Sequence, residues 1–255
     1  MHNVYYLKSN NINQHINLTI TESIKLEIIS TAPKNGFYLY HENNSLVLAH
    51  SNLELTLCVD FSKNDMQNRI KPNIAKLDLI KAVEGRTKNR LNILDMTAGL
   101  GQDSFLLAAR GHTIDAIEQN PYVYLLLKAG LKYAKKSPNL AETAHRISLY
   151  FTNFITFNSI QKIGKYDVIY LDPMFPERRK SAKVKKNMQL LHKVVGIDEQ
   201  SNHLLFKKAK EFLPKKIIVK RPYLGDFIDD KKPTSQLIGK SSRFDIYALH
   251  NYARY

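Results

Sequence analysis

Leu91-Asn92-Ile93-Leu94-Asp95-Met96-Thr97-Ala98-Gly99-Leu100-Gly101-Gln102-Asp103-Ser104 joins a short apolar run to a two-glycine turn and then to residues that open a helix. The run Leu91 to Met96 reads as a buried strand, and Asp103 to Arg110 as a helix ended by Gly111. Two glycines at such a junction let the backbone turn tightly and approach a ligand, so something nucleotide-like is expected there. Thr113 to Glu118 reads as the next strand. Glu118 lies 19 residues beyond Gly99, close to the roughly 20 expected of an acid that hydrogen-bonds a ribose.

The residues around the loop narrow the ligand. A dinucleotide fingerprint wants a third glycine where this chain has Ser104, and a P-loop wants a Gly-Lys-Ser/Thr ending that is absent. Pyrophosphate is therefore disfavoured. Asp95 places a carboxylate at the strand tip, where the amino group of a methionine moiety can bind. S-adenosylmethionine carries a ribose, a sulfonium and an α-amino group but no phosphate, and it suits these acids. Asp95 and Glu118 also admit a plainer reading, as turn or helix-capping residues.

Tyr166 to Leu171 is a second unmistakable buried strand, and it delivers Asp172-Pro173-Met174-Phe175-Pro176 at its C-terminal end, where open α/β sheets keep their ligands. An exocyclic purine amine is a poor nucleophile because its lone pair is delocalised into the ring. The Asp172 carboxylate and the Pro173 carbonyl can accept its two N–H bonds, turn the lone pair toward a sulfonium methyl and stabilise the charge developing on nitrogen. Phe175 offers an aromatic platform for the base. No metal is needed. Asp-Pro is also a common turn opener, and Phe175 also reads as a core residue.

Outward from these two loops, strands alternate with helices: Pro121 to Lys135 helical, Ile147 to Phe151 a strand, Leu204 to Leu213 helical, Ile217 to Val219 and Phe244 to Ala248 strands. The expected fold is α/β, a Rossmann-like class I S-adenosylmethionine-dependent methyltransferase domain over residues 91–255. Residues 1–62 alternate in strand fashion, with turns at Pro33-Lys34-Asn35-Gly36 and Asn43-Asn44-Ser45, and read as a small, mainly antiparallel β subdomain. Residues 63–90 read as a basic linker followed by a helix from Asn73 to about Glu84.

Charge points to a partner. Lys and Arg number 38 against 23 Asp and Glu, a formal +15 with a pI near 9.7. From Glu177 to Arg221 there are 14 Lys or Arg and 4 Asp or Glu, so +10 of that charge falls in 45 residues. Such a stripe favours nucleic acid over a surface made uniformly Lys-rich. The single cysteine, Cys58, excludes an internal disulfide and a cysteine-based zinc site. A reduced, cytoplasmic setting fits, and no apolar run reaches transmembrane length.

Several blocks, in order, resemble the ribosomal RNA small subunit methyltransferase J family: Asp95-Met-Thr-Ala-Gly-Leu-Gly-Gln-Asp, Tyr170-Leu-Asp-Pro-Met-Phe-Pro, Lys180-Ser-Ala-Lys-Val-Lys-Lys, Val219-Lys-Arg-Pro and Arg243-Phe-Asp-Ile-Tyr. Asp-Pro-Met-Phe also resembles the Asp/Asn-Pro-Pro-Tyr/Phe motif of amino-group methyltransferases, with Met174 replacing the second proline. The resemblance implies transfer of a methyl group to the exocyclic N2 of a guanine in 16S rRNA, acting on free rRNA or the 30S subunit, with no membrane and no stable protein partner. Carried over by position, it implies donor contacts at Gln102, Asp103, Glu118, Gln119, Asn153, Phe154 and Asp172, beside Asp95, Gly99 and Gly101. It gives the basic stripe a role on phosphates flanking the target base, through Arg178, Arg179, Lys180, Lys183, Lys185 and Lys186. Lys220 and Arg221, on the same sheet edge, either contact the RNA or cap the sheet. Family members commonly carry small hydroxyl residues in place of Asn153-Phe154 and an Arg in place of Gln102 or Gln119. Two rivals are an adenine-N6 methyltransferase, which would need a larger recognition domain, and a non-catalytic rRNA-binding assembly factor.

Overall fold

The computed structural model describes residues 2–8, 23–71, 74–87, 89–158, 162–174, 186–196, 199–239 and 242–249. Five strands form an N-terminal sheet: β1 (His2–Leu7), β2 (Ile24–Ile29), β3 (Phe37–Glu42), β4 (Ser45–His50) and β5 (Leu53–Cys58), in the order β2-β1-β3-β4-β5. Strands β3, β4 and β5 are an antiparallel meander. The β3–β4 hairpin turns on Asn43 and Asn44, both at positive φ (46° and 64°), the backbone a two-residue hairpin loop requires and that Asn tolerates. The sequence reading expected a mainly antiparallel sheet, but β1 runs parallel to both β2 and β3, so half of the strand pairings are parallel.

The segment expected as a linker is packed. It holds α1 (Asn64–Ile70), a 3-10 turn at Ile74–Lys76 and α2 (Asp78–Glu84). Phe61 stacks on Phe105 with ring centroids 4.0 Å apart, and Met66, Leu79, Ile80 and Val83 join the main core. Burial of such side chains stabilises by roughly 1.5–3 kcal/mol each, which outweighs the polar character of the intervening residues.

The second sheet has seven strands. In chain order its elements are β6 (Asn92–Asp95), α3 (Gln102–Ala109), β7 (Thr113–Glu118), α4 (Pro121–Ala134), α5 (Ala141–His145), β8 (Ile147–Phe151), β9 (Val168–Leu171), α6 (Lys186–Val195), α7 (Glu199–Glu211), β10 (Lys216–Pro222), β11 (Ser235–Ile238) and β12 (Ser242–Ala248). The spatial order is β11-β12-β10-β9-β6-β7-β8, with β8, β7, β6, β9 and β10 parallel and β12 antiparallel to both its neighbours. This is the expected Rossmann-like methyltransferase sheet. Strand order reverses between β6 and β9, which opens a crevice at their C-terminal ends. Strand β11 escapes a sequence reading because it is an exposed edge strand without alternation.

Side-chain parity sorts the sheet into two cores. Ile93, Val168, Tyr170, Ile218 and Phe244 face α1 to α3, while Leu94, Ile169, Leu171, Ile217, Val219 and Tyr247 face α7. Helix α4 starts cleanly, with Pro121 at its first turn and the Asn120 side chain accepting the Tyr122 and Val123 N–H groups. Its Leu127, Leu131 and Ala134 join the main core, while Val123 to Leu126 pack beneath the N-terminal sheet with Leu39, Leu48 and Leu57. One helix thus ties the two sheets together. Among the described residues, no helix is long and apolar enough to cross a membrane.

Candidate active site

The glycine loop between β6 and α3 is braced by two buried carboxylates. Gly99 (φ 52°) and Gly101 (φ 72°) take the left-handed backbone that brings the chain round to the first turn of α3. Asp95, 1% exposed, accepts the Thr97 N–H at 3.0 Å and the Ser104 hydroxyl. Glu118, at the tip of β7, accepts the Gly99 N–H at 2.9 Å and the Asn120 N–H at 2.7 Å. Burial pushes both carboxyls up to about 7 against the hydrogen bonds that favour their charged forms.

The reacting loop is attached to the donor loop. The Asp172 N–H donates to Thr97 Oγ1 at 2.6 Å, so the tip of β9 is hydrogen-bonded to the turn after β6. The Asp172 side chain is 36% exposed, while the ring of Pro173 is buried. Asp172 Oδ2 lies 2.9 Å from Lys220 Nζ, and the same ammonium reaches Asp103 Oδ2 at 2.7 Å. Tyr170 donates its hydroxyl to Asp103 at 2.6 Å, and Arg69 of α1 lies 3.7 Å from the other Asp103 oxygen. Burial would raise Asp103, but Lys220, Tyr170 and Arg69 outweigh it and hold the carboxyl below its ordinary range. Burial raises Asp172, with Lys220 opposing. Burial alone would lower the Lys220 ammonium; the two carboxylates reverse this and hold it above its usual value.

On the β7–β8 side of the crevice an open cleft of about 530 Å³ is lined by His2, Gln119, Asn120, Phe151, Thr152 and Asn153. That volume lies within the roughly 300–1,000 Å³ range of small-molecule sites.

Residues 19–249 match the family model described as "Putative SAM-dependent methyltransferase". The chain is 44% identical over 239 residues to the ribosomal RNA small subunit methyltransferase J of Francisella tularensis subsp. novicida, covering 93% of this chain and 96% of that one. It is 46% identical over 215 residues to the enzyme of the same name from Francisella philomiragia, covering 83% and 88%. The chain belongs to the ribosomal RNA small subunit methyltransferase J family. A crystal structure of a SAM-dependent methyltransferase from Neisseria gonorrhoeae superposes with a TM-score of 0.73 at 30% identity, over 97% of this chain and 96% of that one.

Within this methyltransferase J fold, the expected site residues separate into groups. Gly99, Gly101, Gln102, Asp103, Glu118, Gln119 and Asp172 all sit at the C-terminal edge of the parallel strands, with Gln102 and Gln119 exposed. Asn153 is exposed on the cleft wall, whereas the Phe154 side chain is buried among Leu94, Met96 and Ile117, leaving only its backbone to a ligand. The Asp95 carboxylate is buried and braces the loop through Thr97 and Ser104, as the plainer reading of it as a turn or capping residue has it. Lys220 and Arg221 are consecutive in β10 and so point to opposite faces of the sheet. Lys220 enters the carboxylate cluster; Arg221, 7% exposed, is buried beside the Arg243–Asp245 ion pair. Phe175, Arg178, Arg179, Lys180, Lys183 and Lys185 lie outside the described residues, as does the side chain of Lys186, which opens α6. Thr97, Tyr170 and Arg69 are site residues that the sequence reading missed; period-2 parity with Asp172 marked Tyr170, and nothing local marked the other two.

Glu118 supplies a pH-dependent prediction. Its carboxyl is raised from an ordinary 4.5 to about 7, so it favours the folded state below pH 4.5 and loses that contribution as pH rises through 7. Between pH 5 and pH 8 the wild type should lose roughly 2 kcal/mol more stability than Glu118→Gln, measured by urea unfolding of the two proteins. Parallel pH dependences would show that Glu118 is not strained by burial.

Proposed function

We propose that the protein transfers a methyl group from S-adenosylmethionine to the exocyclic N2 amine of a guanine in 16S rRNA of the small ribosomal subunit, in the cytoplasm. The observation that carries this reading is the 2.6 Å hydrogen bond from the Asp172 N–H to Thr97 Oγ1, which holds the loop bearing a partly exposed carboxylate against the donor loop. The name carried by the Francisella relatives supports the rRNA acceptor.

The residues suit the donor. Glu118 keeps acceptor capacity beyond its loop amides for ribose hydroxyls. The cleft of Gln119 and Asn153 suits an adenine, and the left-handed glycines let backbone approach the methionine portion. When bound, S-adenosylmethionine supplies an electrophilic methyl on a positively charged sulfur. The Asp172 carboxylate and the Pro173 carbonyl then accept the N–H bonds of the guanine amine and align its lone pair. The methyl would pass from sulfur to the amine nitrogen, leaving the bond's electrons on sulfur, and the Asp172 carboxylate would be placed to take the surplus proton. Phe175 stacks on the base, and Arg178, Arg179, Lys180, Lys183, Lys185 and Lys186 take flanking phosphates.

Labelled methyl transfer from S-adenosylmethionine to 16S rRNA and to 30S particles from a strain lacking the gene tests this, with nucleoside analysis of the product. N2-methylguanosine is the expected product. Methylation at adenine N6, or none on either substrate, rejects the proposal.

A further inference from the structure

Three carboxylates crowd one face of the sheet at the crevice: Asp95 from β6, Asp103 from α3 and Asp172 from the loop just after β9. Asp95 is satisfied by Thr97 and Ser104. Asp103 receives Tyr170, Arg69 and Lys220. For Asp172 the side-chain partner is Lys220, whose ammonium lies 2.9 Å from one carboxylate oxygen. A lysine meant for an RNA phosphate would extend into solvent; this one is turned inward, 29% exposed, with its charge shared by two acids. A cation so placed does two things: it fixes the carboxylate rotamer, and it favours the charged form of an acid that burial and Asp103 push toward neutrality.

We propose that Lys220 is a positioning residue for methyl transfer, clamped between Asp103 and Asp172 so that one Asp172 oxygen is held on its ammonium and the other is left for the acceptor amine. The inference rests on the methyltransferase reading above. A charged Asp172 is the better acceptor for the N–H bonds of the guanine and for its surplus proton, so the transfer rate should rise with pH as Asp172 ionises. The charged and titratable groups facing that carboxylate are Lys220 of β10, Asp103 of α3 with Arg69 of α1 behind it, Tyr170 of β9 and Asp95 of β6.

The test is single-turnover methyl transfer at saturating donor and RNA across pH 5 to 9, for wild type, Lys220→Met, Lys220→Arg and Asp103→Asn. Lys220→Met should slow transfer about 100-fold near pH 7 and move the midpoint of the rising limb to higher pH by at least about 1. Lys220→Arg should restore most of the rate and the wild-type midpoint, because it restores the cation. Asp103→Asn should move the midpoint the opposite way, to lower pH, since it removes a repelling charge and leaves the ammonium to Asp172 alone. These opposite displacements are not expected of a merely structural lysine, and the Asp103→Asn arm stands even if Lys220→Met does not fold. An unchanged midpoint in the folded variants overturns the proposal. So does a Lys220→Met enzyme with a raised KM for RNA and an unchanged kcat, which would place Lys220 on a phosphate. Failure of the acceptor assignment shows itself separately, as absence of N2-methylguanosine with the wild type.

Discussion

Asp172→Ala is expected to lower the methyl-transfer rate by roughly 1,000-fold or more while leaving S-adenosylmethionine binding within about tenfold of wild type. The reason is positional. The Asp172 backbone, not its side chain, makes the hydrogen bond to Thr97 that joins the two loops, so truncation spares the scaffold. Lys220 keeps Asp103 as a partner at 2.7 Å, and no charge is left stranded. Asp172→Asn keeps one acceptor oxygen and should fall between alanine and wild type. Single-turnover transfer of labelled methyl gives the rate, and calorimetry gives the donor affinity. Full activity of the alanine variant would remove Asp172 from the chemistry; a donor affinity reduced as much as the rate would make it a donor ligand.

Gly101→Ala should destabilise the fold by about 2–5 kcal/mol and weaken donor binding at least tenfold. Two separate costs combine. Gly101 sits at φ 72°, where a side chain costs roughly 1–2 kcal/mol. Its new Cβ would also lie 2.4 Å from Leu127 Cδ1, and Leu127 is 1% exposed in the main core, so relief requires overpacking worth another 1–3 kcal/mol or so. Gly99→Ala is the control. At φ 52° it carries the backbone cost, but its Cβ meets nothing closer than Thr97 O at 3.9 Å, so a loss of about 1–2 kcal/mol is expected. Urea unfolding of the two variants separates the effects. Equal losses would show that helix α4 yields to the extra methyl and that contact with Leu127 does not dictate glycine here.

Much of the site was legible because its signals are local. A glycine with positive φ after a strand, an acid at the tip of the next strand, and Asp-Pro at the end of a third are each readable within ten residues, and the structure places all three on one sheet edge. The strands β7 and β8 were read to the residue, β7 because a buried run bounded by turn residues carries its own boundaries. The N-terminal sheet was read less well. Alternation identifies its strands, but the parallel pairing of β1 with β2 and β3 depends on chain that leaves the sheet and returns, which alternation does not encode.

Lys220-Arg221 shows where local reading stops. As a dipeptide it is two positive charges near a basic stripe, and the sequence offers both residues the same two roles, on RNA or capping the sheet. The sheet separates them by side-chain parity, sending Arg221 into a buried cluster with Arg243 and Asp245 and Lys220 onto carboxylates 48 and 117 residues away in the chain. The glycine loop, the two acids at strand tips and the α/β class therefore belonged to the sequence by itself, because backbone conformation and hydrophobic period act over a few residues. Which charges meet, which carboxylate faces inward and which lysine serves the chemistry were decided only by tertiary structure, because electrostatic partnership depends on distance in space, and parallel strands bring distant residues to one edge.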